Sequence, residues 1–145
     1  MGMETSGSSS MYHDVPNNQI RKVIAQRLTE SKSTIPHYYV TTQVSVDKLL
    51  ALRARLNKVA SVKISVNDMV IKAASLAALK VPETNASWMG ESVRFFKNVN
   101  MSVAVSTPTG LMAPVLPNTN LLGLEDISKN IKDIAGRARD GKLGM

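Results

Sequence analysis

The 145-residue chain carries a formal charge of +7, with 43% hydrophobic and 20% charged residues and no cysteine. These values describe one globular domain or a large piece of one, and they exclude disulfides and thiolate metal sites, which fits a reducing compartment. No apolar run approaches transmembrane length, and no signal-peptide core opens the chain, so no membrane partner is expected. The positive charge suits nucleic acid, anionic lipid or a phosphate-bearing ligand, although simple solubility explains it more economically. Basic residues are scattered rather than clustered, and aromatics, at 4% of the chain, rarely sit beside them. A stacking platform for single-stranded nucleic acid is therefore disfavoured.

Residues 1–14 are read as a flexible leader or an expression remnant, because Met1 to Met11 is small, polar and rich in Ser and Gly. His13 and Asp14 are adjacent there with nothing to hold their geometry, so the pair is attributed to chance. Residues 15–145 form the domain. Asn17 or Asn18 can cap a helix whose apolar stripe is Ile20, Val23, Ile24 and Leu28, and Pro36 ends it. His37, alone between this helix and the next element, is read as structural rather than catalytic. Tyr38 to Val46 has the β-branched and aromatic content of a strand.

Ser45 is the expected cap of a helix from Val46 to Lys58, with Leu49, Leu52 and Leu56 inward. Arg53 and Arg55 flank that stripe, and an arginine lying towards a cleft can meet a phosphate bidentately. Ser65 and Asp68 stand at capping-box spacing before a helix that is apolar nearly all round, from Met69 to Leu79, which predicts a buried central helix. Asn85 to Gly90, with the single Trp88, reads as a short extended piece and a turn, and Val93 to Phe96 as a strand. In Val99 to Pro117, Met101, Val103 and Val105 alternate with Ser102, Ala104 and Ser106, the two-residue period of a strand with one buried face. Thr107 to Gly110 supplies a turn, and Leu111 to Leu116 a second strand in which Pro114 marks an edge or a bulge. Leu124, Ile127, Ile131, Ile134 and Ala138 mark a final amphipathic helix.

This order predicts an α/β mixed-sheet sandwich with covering helices. No GxxxxGK[ST], GxGxxG, HExxH or GxSxG is present. With two histidines and no cysteine, no metal site is expected. Residues alone lead to a basic α/β domain with a hairpin that is either a plain structural element or part of a ligand site.

Four stretches in order carry a resemblance: Val15 to Val40, Lys63 to Trp88, Val99 to Val115 and Gly136 to Leu143. Together they resemble the core domain of the dihydrolipoyl acyltransferases of 2-oxo acid dehydrogenase complexes, most closely the pyruvate dehydrogenase type. The resemblance implies a chloramphenicol-acetyltransferase-like fold, incomplete here at the C-terminus. It further implies self-association as trimers of a large core, contact with the other components of such a complex, and a mitochondrial matrix location. The implied reaction moves an acetyl group between dihydrolipoamide and coenzyme A, with the lipoyl group carried on a separate domain.

In that family a histidine of a DHRxxDG motif is the general base, and a hydroxyl from a later GGTFTISNLG-like strand stabilises the oxyanion. Neither motif occurs in these 145 residues, and His13 and His37 do not fit the first. No catalytic residue is therefore assigned to this chain. By position, Arg53 resembles an arginine bordering the coenzyme A site, and Ser106, Thr107, Thr109, Gly110 and Leu111 resemble the turn beside the substrate channel. A solvated arginine and an ordinary turn are the plain alternatives. A non-catalytic core component that binds dihydrolipoyl dehydrogenase is the other function class the same stretches resemble.

Overall fold

Two of the helices, Gln19–Thr34 and Val66–Lys80, start at a short polar side chain that satisfies a first-turn backbone N–H group. The computed structural model describes residues 11–108 and 110–142, and the chain divides into two units, Met1–Gln43 and Val44–Met145. In the first unit, helix α1 (Gln19–Thr34) begins where Asn18 Oδ1 accepts from Arg21 N at 2.9 Å. It ends at Ile35, held extended in front of Pro36.

The strand expected over residues 38–46 is not formed. Tyr38, Tyr39, Val40 and Val44 are exposed, and no strand ladder joins this stretch to any described residue. β-branched and aromatic side chains suit a pleated, half-buried surface, but the ladder itself needs a partner edge.

In the second unit, helix α2 (Asp47–Leu56) starts without a side-chain cap. Ser45, the expected cap, donates its hydroxyl to Asp47 Oδ2 at 3.0 Å instead. Leu49 and Leu56 are half-buried, whereas Leu52 is exposed, contrary to its expected inward place. Helix α3 (Val66–Lys80) opens on the predicted capping box: Ser65 N donates to Asp68 Oδ2 at 2.7 Å, and Asp68 N to Ser65 Oγ at 3.1 Å. Its burial is narrower than predicted. Asp68, Met69, Ile71 and Ser75 are buried, but Val70, Leu76 and Leu79 are exposed. Apolar content shows that a helix can be covered on every side, while the neighbours present decide how many sides are.

Strands β1 (Ala86–Trp88) and β2 (Val93–Phe95) pair antiparallel, with Trp88 opposite Val93. The hairpin that follows is one antiparallel ribbon in two ladders. Strand β3 (Met101–Ser102) pairs with β6 (Val115–Leu116), and β4 (Val105–Thr107) pairs with β5 (Gly110–Met112). The ladder breaks at Pro114, as its missing N–H predicts, while its carbonyl still accepts from Val103 N at 3.1 Å. Val105 is buried and Met101 and Val103 are half-buried, with Ser102, Ala104 and Ser106 exposed between them. The two-residue alternation is borne out.

Helix α4 (Leu124–Arg139) lays Ile127, Ile131, Ile134 and Ala138 inward. Ile71 of α3, Leu116 of β6 and Ile127 of α4 form the buried cluster, with Met101, Val103, Leu122, Ile131 and Ile134 packed against it. The resulting unit is α/β, with short antiparallel pairs backed by helices.

Candidate functional site

The tip of the hairpin is built by its turn chemistry. Thr107 faces Gly110 across the last rung, and Thr107 Oγ1 donates to Gly110 O at 2.7 Å. Gly110 has φ +139°, a conformation that L side chains rarely adopt, so glycine is required for the exit from the turn. Ser106 and Leu111 face each other on the next rung, both exposed. Thr109, named with them from the sequence, lies outside the described residues.

From Leu111 the chain runs along a groove of about 790 Å³ between residues 111–117 and α4. Met112, Leu122 and Ile134 give it an apolar lining. Asn130, Asp133 and Arg137 line it from α4, with Arg137 Nη1 3.5 Å from Asp133 Oδ2. Both partners of that i,i+4 pair are more than half exposed, so it adds little stability.

Arg53 does not line this groove. Its Nε donates to the carbonyl of Ile64 at 2.8 Å, which holds the half-buried side chain against the loop before α3. Asn57, one turn further along at the end of α2, donates Nδ2 to the same carbonyl at 3.0 Å and accepts from Ile64 N at 2.8 Å. The loop is also held from α4, where Ser128 Oγ and Lys132 Nζ donate to Lys63 O at 3.0 and 2.6 Å. The structure thus brings Ser106, Thr107, Gly110 and Leu111 together at one tip and sets Arg53 in a separate, loop-anchored cluster.

Glu125 completes that anchoring by accepting from both the hydroxyl and the backbone N–H of Ser61. The Ser61 hydroxyl, then its N–H, hold the Glu125 carboxyl below the ordinary range, with Lys129 adding a smaller pull in the same direction. Because the folded pKa is depressed, the stabilisation is full above the ordinary value of 4.5 and fades as pH falls through the folded value. Glu125→Gln is therefore expected to lose stability at neutral pH and to converge on the wild type in acid. Urea midpoints measured as a pH series check this, and a constant gap at every pH contradicts it.

Two connections escaped the sequence reading. Lys72 of α3 donates Nζ to Asn120 O and Leu122 O at 2.9 and 2.8 Å. Those carbonyls belong to a 3₁₀ turn, Thr119–Leu121, and to its C-cap residue Leu122, which close the base of the hairpin. Thr119 N donates to Val99 O, and Val99 N to Asn120 Oδ1. Asn118, with φ 51° and ψ 36°, enters the turn in the left-handed region that asparagine tolerates.

His37 is consumed locally. Its Nδ1 lies 2.8 Å from Ile35 O, its Nε2 lies 3.1 Å from Lys32 Nζ, and its ring meets Tyr39 edge-on at 5.6 Å. An Nδ1–H tautomer satisfies both contacts, with the Lys32 ammonium donating to Nε2. His13 is exposed. Among the described residues no three His, Asp or Glu side chains converge to hold a metal, and no helix is long and apolar enough to cross a membrane.

The family model described as 2-oxoacid dehydrogenases acyltransferase (catalytic domain) matches residues 9–145. Among curated proteins, the chain is 53% identical over 134 residues to the dihydrolipoyllysine-residue acetyltransferase component of the mitochondrial pyruvate dehydrogenase complex of Schizosaccharomyces pombe. That alignment covers 91% of this chain and 28% of the yeast protein, so the chain spans about a quarter of its relative's length. Among solved structures, the dihydrolipoamide acetyltransferase of Azotobacter vinelandii superposes with a TM-score of 0.85 at 26% identity, over 99% of this chain and 63% of that one. A structure described as the cubic core of the pyruvate dehydrogenase multienzyme complex matches with the same TM-score, identity and coverage.

Proposed function

Because the chain belongs to the 2-oxoacid dehydrogenase acyltransferase (catalytic domain) family, we propose that it acts within the acetyltransferase component of a mitochondrial pyruvate dehydrogenase complex. In this reading residues 15–145 are the N-terminal portion of the core domain, located in the mitochondrial matrix and self-associating as trimers of a large core. The reaction served is transfer of an acetyl group between dihydrolipoamide and coenzyme A. The observation that carries the proposal is the family match over residues 9–145, joined to a fold that superposes on a dihydrolipoamide acetyltransferase along 99% of the chain.

Within that reaction the chain's own residues have binding and shaping roles. Arg53 borders the coenzyme A site. Its Nε is taken by Ile64 O, and neither of its terminal nitrogens has a partner among the described residues, so that end of the guanidinium is left for a phosphate. Ser106, Thr107, Thr109, Gly110 and Leu111 form the bend beside the substrate channel. The attacking thiol, with an ordinary pKa of about 8.5, is mostly protonated at neutral pH and needs a positioned base. His37 cannot serve, because both ring nitrogens are occupied next to the helix it follows. The base is assigned to residues outside this sequence.

The purified chain is accordingly expected to bind coenzyme A and to transfer no acetyl group. Isothermal titration with coenzyme A, paired with a coupled acetyl-CoA assay, tests both halves. Turnover by this chain alone contradicts the assignment of the base. Absence of any coenzyme A binding removes the role of Arg53 and favours a non-catalytic core component that binds dihydrolipoyl dehydrogenase.

A further inference from the structure

Arg53 is a long side chain with many rotamers, yet here one of its nitrogens is fixed at 2.8 Å from a backbone carbonyl. That carbonyl, of Ile64, is itself immobilised. The Ile64 side chain is buried, and the Asn57 amide pairs with both its N–H and its C=O, as a neighbouring strand would. Asn57 sits four residues after Arg53, on the same side of α2, and its own N–H donates to Arg53 O at 3.0 Å. The Ile64 oxygen has two lone pairs and receives two donors, Arg53 Nε and Asn57 Nδ2, so its acceptor capacity is filled.

We infer that Asn57 is a positioning residue for Arg53: through the Ile64 peptide it aims the two terminal guanidinium nitrogens outward as a ready phosphate fork. The inference rests on the reading of Arg53 as a coenzyme A contact and adds what makes that contact effective. A guanidinium already anchored at Nε loses less freedom when its remaining edge meets a phosphate, so affinity rises without a new contact. Without Asn57 the Ile64 peptide keeps its Ser65 N–H bond to Asp68 but loses the Asn57 partners of Ile64 N and O, so the carbonyl that Arg53 Nε donates to is held less sharply. Sequence alone cannot display this, because the linking atom is a backbone oxygen seven residues away.

The test is a double-mutant cycle read by coenzyme A titration of the whole chain. Arg53→Ala is expected to weaken binding about tenfold to a hundredfold, and Asn57→Ala about fivefold. The double variant should bind no more weakly than Arg53→Ala, because Asn57 acts only through Arg53. A merely structural Asn57 would lower the melting temperature and leave the cycle additive. Should Asn57→Ala not fold, Asn57→Asp carries the test: it keeps an acceptor for Ile64 N but has no donor for Ile64 O, and the same non-additivity is expected. If the wild type binds but both Asn57 variants stay within twofold of it, or if the effects multiply, the role of Asn57 is overturned while that of Arg53 stands. If the wild type does not bind coenzyme A, the reading of Arg53 fails and this inference falls with it.

Discussion

Ile127→Ala is expected to destabilise the chain by about 2–5 kcal/mol, a large share of the roughly 5–15 kcal/mol that a whole domain has. Ile127 is 0% exposed and lies where three elements meet, touching the same buried cluster as Ile71 of α3 and Leu116 of β6. Removing its outer carbons forfeits their transfer free energy and leaves a void that Met101, Val103, Leu122, Ile131 and Ile134 can only partly fill. The matched control is Leu121→Ala. That side chain is 72% exposed, and its loss should shift stability by no more than about 0.5 kcal/mol. Urea unfolding followed by circular dichroism reads both. Equal midpoints for the two variants would show that the core does not centre on Ile127.

The contrast between Ile127 and Leu121 also shows what periodicity conveys. The i, i+4, i+7 spacing of Ile127, Ile131 and Ile134 marks one face of α4, and that face is the one that packs. The capping box at Ser65 and Asp68, the alternation from Met101 to Ser106 and the break at Pro114 were equally legible. Each is a local rule that neighbouring residues settle among themselves. Residues 38–46 failed as a strand because pairing is a property of two segments, and composition describes one. Val70, Leu76 and Leu79 failed as buried positions for a related reason: an apolar helix states a capacity to be covered, and the hairpin and α4 cover one side.

The candidate site divides along the same line. The bend at Ser106, Thr107 and Gly110 was visible, because turn residues announce turns and Gly110 takes the strained exit. The side-chain partner of Arg53 was not visible. Asn57 and the Ile64 carbonyl become its neighbours only once the loop before α3 folds back on α2. The left-handed Asn118 and the 3₁₀ turn after it were also missed, since that turn is held by partners distant in sequence: Asn100 accepts from Asn118 N, Val99 N donates to Asn120 Oδ1, and Lys72 donates to Asn120 O.

Lys72→Met is the variant that separates this tertiary bracing from the hydrophobic core. Methionine keeps the bulk and apolar stem of lysine while deleting the ammonium, so the packing of α3 on its neighbours is nearly preserved. The two carbonyls it leaves, Asn120 O and Leu122 O, lose donors at 2.9 and 2.8 Å at a half-buried position. Hydrogen bonds to a charged donor contribute about 1.5–3 kcal/mol each. Part of the loss is recovered by water, and the expected destabilisation is about 2–4 kcal/mol. Its distribution should differ from that of Ile127→Ala. The Thr119–Leu121 turn holds both Val99 N and Val99 O, and Thr119 Oγ1 donates to Leu116 O at 2.8 Å, so its release loosens the base of the hairpin. Hydrogen exchange of the Val99, Thr119 and Leu122 amides should accelerate most, with the amides in the middle of α4 following only the global change. Acceleration spread evenly over the second unit would mean that Lys72 acts as one more core contact and not as the brace between α3 and the hairpin.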